Sequence, residues 1–243
     1  MDLELDGQIA LVTGASRGLG AAIARALADE GAHVVAAARS PIDVTDERIT
    51  AATVDVSDVA RLPALVDTVL ERHGRIDILV NNAGIAPAGA FATQDQAVWR
   101  RVLDVNVLAP MALAQAAGRH FLAQGSGRIV NVASTTGVRG KPQLVAYSAS
   151  KAALVRMTEA LAAEWAPHGI QVNAIAPGAF ATDAQRAVTG DPDLLRRRVR
   201  RIPAGRMAEP REIVELACLL CSPRASFVNG AVFVIDGGES GKL

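Results

Sequence analysis

Seven short, mostly apolar runs separated by longer Ala- and Leu-rich stretches constrain this chain more than any other feature. They are IALVTG (9–14), HVVAAA (33–38), AATVDV (51–56), IDILVNNAG (76–84), GRIVNVAS (127–134), IQVNAIAPG (170–178) and VFVIDGG (232–238). Runs that stay apolar instead of alternating belong to strands covered on both faces. The stretches between them read as helices, so the unit is strand–helix, repeated. Right-handed crossovers then predict a single α/β domain over 1–243, a doubly wound, Rossmann-like sheet of about seven parallel strands. Aromatic residues make up only 3% of the chain, which leaves Ala, Val and Leu to fill closely packed layers. Two connections depart from the pattern. Fifteen residues separate Arg39 from Asp55, too few for a full helix and its turns. Residues 179–209 form a long insertion, expected to act as a lid over the strand ends.

Charge and targeting narrow the function classes. Lys plus Arg and Asp plus Glu balance at 25 each, so no basic face advertises a nucleic-acid partner. No run reaches membrane-spanning length, and the acidic start MDLELDGQIA has no secretory pattern, which points to the cytoplasm. Cys218 and Cys221 form a C-x-x-C, but at the apolar end of a helix, where a redox pair gains nothing from the dipole. They read as reduced, buried, structural thiols. His33, His73, His120 and His168 show no metal-ligand spacing, so no metal site is expected.

The first strand runs into TGASRGLG (13–20) and then a helix. Glycines at such a turn let backbone approach a pyrophosphate, and the helix N-terminus offers free N–H groups to it. By itself this G-x-x-x-G-x-G also fits a merely tight turn. As a phosphate loop it places Gly14, Ser16, Arg17, Gly18, Leu19 and Gly20 at a dinucleotide. The second strand ends in Ala38, Arg39 and Ser40, with no acid to bind ribose hydroxyls. A carboxylate there would repel a 2′-phosphate, whereas Arg39 can fork onto it with Arg17 as a second cation. NADP(H) is therefore the expected cofactor, with NAD(H) as the alternative.

Tyr147, the only tyrosine, lies four residues before Lys151 in a helix read over 143–165, so the two share a face. A phenol with a pKa near 10 exchanges protons poorly at neutral pH unless a cation stabilises its anion. Lys151 is placed to do that. Ser134 ends the fifth strand at the sheet edge where open α/β folds bind ligands, and its hydroxyl can polarise the oxygen that Tyr147 protonates.

Taken together these motifs resemble the short-chain dehydrogenase/reductase family over essentially the whole chain: TGASRGLG, NNAG at 81–84, Ser134 with YSASK, and APG followed by Thr182. The resemblance implies NAD(P)-dependent interconversion of a ketone and a secondary alcohol. It implies Tyr147 as general acid/base, Ser134 as substrate orienter and Lys151 as ribose binder. It puts Asp55 and Val56 near adenine, Asn82, Ala83 and Gly84 along the cofactor channel, and Pro177, Gly178 and Thr182 around the nicotinamide. Asn106 matches a fourth catalytic position. Pro110 lies four residues on and has no N–H, so the Asn106 carbonyl is free to hold a water that relays protons to Lys151; a plain proline kink is the other reading. A homo-oligomer, tetramer or dimer, is implied through the fourth and fifth helices and the last strand.

The substrate is less determined. Segments such as HFLAQGSGRIVNVAS and RIPAGR are similar to the sugar-acid dehydrogenases of the gluconate 5-dehydrogenase and 2-dehydro-3-deoxygluconate 5-dehydrogenase types, and more loosely to 3-oxoacyl-carrier-protein reductases. Ala208 stands where a glycine is common, and the stretch after the second strand is short for both. Arg139 and Lys141, between Ser134 and Tyr147, are candidates to grip an anionic substrate. The run RRRVRR (196–201) is either a second such group or a solvated face. The expected activity is reduction of a small ketone. The alternatives are a 3-oxoacyl-thioester reductase and a non-catalytic NADP-binding regulator, the latter disfavoured by the intact set of Asn106, Ser134, Tyr147 and Lys151.

Overall fold

All seven expected strands form, and all pair in parallel. A computed structural model describes residues 2–42, 44 and 46–241. The strands are β1 (Ile9–Thr13), β2 (His33–Ala38), β3 (Ile49–Thr53), β4 (Ile78–Asn81), β5 (Gly127–Val132), β6 (Ile170–Pro177) and β7 (Val232–Ile235). Their order across the sheet is β3-β2-β1-β4-β5-β6-β7. The helices are α1 (Gly18–Asp29), α2 (Leu62–His73), α3 (Gln96–Leu103), α4 (Ala109–Gln124), α5 (Thr135–Val138), α6 (Val145–Trp165), α7 (Arg186–Thr189), α8 (Pro192–Val199) and α9 (Val214–Cys221).

The apolar strands divide their side chains between two cores. In β1, Ile9 and Leu11 face one layer, with Leu65, Val69, Leu113, Phe121 and Trp165 of α2, α4 and α6. Ala10 and Val12 face the other, with Ile23 and Leu27 of α1 and Cys218 and Cys221 of α9. Period-two alternation onto two covered faces is what makes the runs continuously apolar. Burial pushes the Cys218 thiol up to about 12 and raises Cys221 well above the ordinary thiol value, so both cysteines pack as small apolar residues.

Two elements differ from expectation. Strand β3 begins and ends earlier than the run 51–56, because the Asp55 carboxylate accepts from the Ser57 N–H and hydroxyl at 2.9 and 2.8 Å and turns the chain away. No helix lies between β2 and β3 among the described residues, as the short connection requires. Helix α6 begins at Val145 and not at 143, since Gln143 takes a left-handed backbone with φ +64°. Residues 179–209 carry α7 and α8 around a small core of their own, Ala179, Ile202 and Met207 packed with Val188, Leu195 and Val199.

Because β1 lies between β2 and β4, successive crossovers diverge there and open a crevice at the C-terminal strand ends. That junction is stitched. Thr13 Oγ1 accepts from the N–H groups of Asn82 and Ala83 at 3.1 and 3.2 Å, and Asn82 Nδ2 donates to the carbonyls of Thr13 and Gly14 at 2.9 and 3.2 Å. A Cβ on Gly20 would stand 2.3 Å from Asn82 Nδ2 and 2.4 Å from the Gly14 carbonyl oxygen. Gly20→Ala should therefore destabilise the fold by about 1–3 kcal/mol through overpacking, measured by urea denaturation. An unchanged midpoint would show that the junction yields.

Candidate active site

One cavity of about 860 Å³ runs along the crevice, lined at one end by the TGASRGLG turn and at the other by Tyr147, α8 and the segment after β7. Helix α1 opens on the nucleotide end with no acidic residue in its first turn and no side-chain cap on its N–H groups. Free donors and a positive dipole end are what a pyrophosphate needs. Gly14, Ser16, Arg17, Gly18 and Leu19 line this end, with Arg39, Asp55, Val56, Asn82, Ala83 and Gly84 beyond them. Gly20 is not on the wall; it packs beneath, against Asn82. Arg39 Nη1 lies 4.0 Å and Arg101 Nη2 3.5 Å from Asp55 Oδ2. Both pairs are half-exposed, so they are weak and easily exchanged for another anion. The Ser57 N–H holds the Asp55 carboxyl below its usual range, helped by the Ser57 hydroxyl and the two arginines. The donor set and the open helix end fit a dinucleotide.

At the other end Ser134, Tyr147 and Lys151 meet. Ser134 caps the short α5, its Oγ accepting from the Thr136 N–H at 3.2 Å, and its hydroxyl is near enough to the Tyr147 phenol to favour the ionised form. Helix α5 lies directly on α6: a Cβ on Gly137 would stand 2.7 Å from the Lys151 carbonyl carbon. That contact fixes Ser134 against the two α6 residues. Lys151 is buried, donates to the Val132 carbonyl at 2.7 Å, and sits 5.9 Å from the Tyr147 ring centre. Burial lowers its pKa to about 8. Burial also raises the Tyr147 phenol, with Ser134 pulling partly back. The expectation that Lys151 lowers the phenol is not met: desolvation governs both groups and the ammonium is turned to a carbonyl.

Asn106 does not line the cavity. It is fully buried behind it, in a π-helical turn (Asp104–Leu108) where the Ala109 N–H reaches back to the Asp104 carbonyl. The proline therefore produces a widened turn, not a simple kink. The Asn106 amide bonds both ways to Ile85, Oδ1 accepting from its N–H at 2.9 Å and Nδ2 donating to its carbonyl at 3.0 Å, and Nδ2 also reaches Ser150 Oγ at 3.0 Å. A Cβ on Gly84 would lie 3.4 Å from both Asn106 Oδ1 and Lys151 Nζ.

The family model described as enoyl-(acyl carrier protein) reductase matches residues 14–240. Gluconate 5-dehydrogenase of Gluconobacter oxydans (strain 621H) is 39% identical over 246 residues, covering 96% of this chain and 95% of that protein. The chain belongs to the short-chain dehydrogenase/reductase family. D-threitol dehydrogenase of Mycolicibacterium smegmatis (strain ATCC 700084 / mc(2)155) is 40% identical over 256 residues, covering 98% of this chain and 94% of that one. The crystal structure of a gluconate 5-dehydrogenase from Burkholderia cenocepacia J2315 in complex with NADP and tartrate superposes with a TM-score of 0.92 at 34% identity, over 100% of this chain and 98% of that one. As a member of this family the protein is an oxidoreductase acting on CH–OH groups.

In this short-chain dehydrogenase/reductase, Pro177 at the end of β6 and Gly178 and Thr182 after it lie along the cavity wall. The run 196–201 is split. Arg198 and Arg201 line the cavity with Arg139 and Lys141, while Arg196 pairs with Asp193 on the surface. Sequence reading missed Gly137, Arg101 and Glu239, whose roles depend on what folds against them and leave no local pattern. No helix among the described residues is long and apolar enough to cross a membrane.

The depressed Lys151 pKa links the site to stability. Between pH 8 and the ordinary lysine value of 10.5 the unfolded state binds a proton that the folded state does not, so wild-type stability gains as pH rises through this window. Any stability advantage of Lys151→Met should accordingly shrink by about 2 kcal/mol between pH 7 and 10, read from urea melts of both proteins. A constant difference would refute the buried-ammonium assignment.

Proposed function

We propose that this chain is an NADP(H)-dependent oxidoreductase that interconverts a ketone and a secondary alcohol on a small polar substrate. The observation that carries this reading is the convergence of Ser134, Tyr147 and Lys151 on the cavity that also holds the open end of α1. The dinucleotide, when bound, supplies or accepts the hydride. Ser134 Oγ orients the substrate oxygen. Tyr147 gives that oxygen its proton in reduction and takes it back in oxidation. Lys151 Nζ uses one donor on Val132 and keeps two for a ribose hydroxyl and the proton path. The Ser134 hydroxyl partly offsets the desolvation that raises the phenol. The Asn106 carbonyl, denied a helical partner by Pro110, holds the water through which Lys151 regains its proton.

Preference for the 2′-phosphorylated cofactor rests on Arg39 and Arg17 at the adenosine end and on the absence of an acid at 38–40. The NADP of the Burkholderia relative supports it. Residues 179–209 act as the lid, their small core moving as a unit over the cavity. Exposed Leu108, Met111 and Leu122, on and beside α4, support self-association into a dimer or tetramer.

Tyr147→Phe removes only the hydroxyl and should lower kcat by about 10²–10⁴-fold while changing the NADPH Kd less than about threefold, measured by fluorescence titration. Retained turnover would sink the proton-donor role. The double variant Ala38→Asp/Arg39→Leu should shift the NADPH/NADH ratio of kcat/KM toward NADH by about tenfold or more. An unchanged ratio would remove Arg39 from cofactor selection.

A further inference from the structure

The substrate end of the cavity is unevenly charged. Arg139, Lys141, Arg198 and Arg201 line it, against Asp183 and Glu239. Asp183 is taken by Arg186 of α7. Glu239 is gripped by Arg198 in a fork, at 2.5 and 2.6 Å, with the two side chains only 17% and 24% exposed. The Arg196–Asp193 pair two residues away is 65% and 70% exposed, so the Arg198 pair is far less screened by water. Lys141 shares this corner: burial lowers its pKa, Arg198 and Arg201 lower it further, and Glu239 opposes them. The group is short of negative charge.

We propose that Lys141 and Arg198 form a carboxylate subsite beside Tyr147, filled by the protein's own Glu239, and that the substrate is a hydroxy or keto acid whose carboxylate takes the place of Glu239. This rests on the oxidoreductase reading above and adds the substrate class. Lys141 is fixed relative to the reacting end because its N–H donates to Ser148 Oγ at 3.3 Å, one residue after Tyr147. Glu239 is presented by a built turn, in which Asp236 accepts from the Gly238 and Ser240 N–H groups at 2.9 and 2.6 Å. The exchange is inexpensive because Arg198 is already desolvated and forked. One carboxylate leaves as another arrives, and the displaced Glu239 belongs to a surface turn with exposed Gly237 and Gly238. Lys141 adds the charge that favours the incoming anion over the internal one, since a substrate carboxylate can lie between the two cations.

The test titrates D-gluconate and D-glucitol, and likewise threonate and threitol, into full-length protein saturated with NADP⁺, with binding followed by calorimetry. In the wild type the acid of each pair should bind about tenfold tighter than its neutral polyol. Lys141→Ala should weaken the acids by about tenfold and Lys141→Arg should restore most of it, with the polyols moving less than about twofold. Glu239→Gln, which removes the internal competitor, should tighten the acids by about three- to tenfold. The proposal is overturned by equal wild-type affinity for acid and polyol, by a Lys141→Ala effect common to both, or by a Glu239→Gln variant that binds acids no better than the wild type. This last result would make Glu239 only a tether for α8. Turnover reports separately: the binding pattern without oxidation of any of the four compounds leaves the subsite standing and removes the proton-transfer reading.

Discussion

A parallel sheet covered on both faces has nowhere to do chemistry except at its strand ends, and the active-site layout follows from that constraint. The two cores of the chain take alternate residues of the same central strands, so the interiors of β1, β4 and β6 are closed to solvent. What remains is the C-terminal rim. Thr13 ends β1, Asn81 ends β4, Val132 ends β5 and Pro177 ends β6. Val132 and Pro177 line the cavity, and Thr13 bonds Asn82 and Ala83, which do. The reversal of strand order between β1 and β4 decides where along that rim the crevice opens.

Stability and function are joined through buried polar groups. Asn81 Nδ2 donates to Asn131 Oδ1, and Asn131 Nδ2 to Thr158 Oγ1, each at 2.9 Å, tying β4 to β5 and β5 to α6. Asn106 does the same work between the Ile85 backbone and Ser150. Apart from Asn81 Oδ1, which has no hydrogen-bond partner, these amide groups are paired, and a shifted register would leave further donors unpaired in low dielectric. Lys151 is the costly member. Its ammonium is buried with a carbonyl for company, and the helix that carries it is held from two sides, by Gly137 of α5 and by Asn106 behind.

Much of this was legible in the sequence. Strand runs, their parallel pairing, the short β2–β3 connection and the membership of the cavity wall follow from apolar patterning and from motifs whose chemistry requires particular residues. What stayed hidden depends on side chains meeting across distance. Asn106 was expected at the site but is enclosed behind it, since its amide is complementary to the Ile85 backbone. The direction of the Tyr147 shift depends on burial, which spacing to Lys151 does not report. The arginine run was ambiguous because α8 sends Arg196 outward and Arg198 inward, a difference set by the packing of Leu195 and Val199. Helix α6 starts two residues late because of a backbone angle at Gln143 that composition does not encode.

The Arg198–Glu239 fork joins the insertion to a turn after the last strand, two segments far apart in the chain and both outside the sheet. The side chains proposed for proton transfer sit against the core, whereas Arg198 and Glu239 are anchored mainly to each other. The molecule is thus divided into a fixed engine and an interchangeable mouthpiece. On the proposed reading, specificity can be rewritten at positions 139–141, 196–201 and 239 without disturbing the buried polar network of Asn81, Asn131 and Asn106.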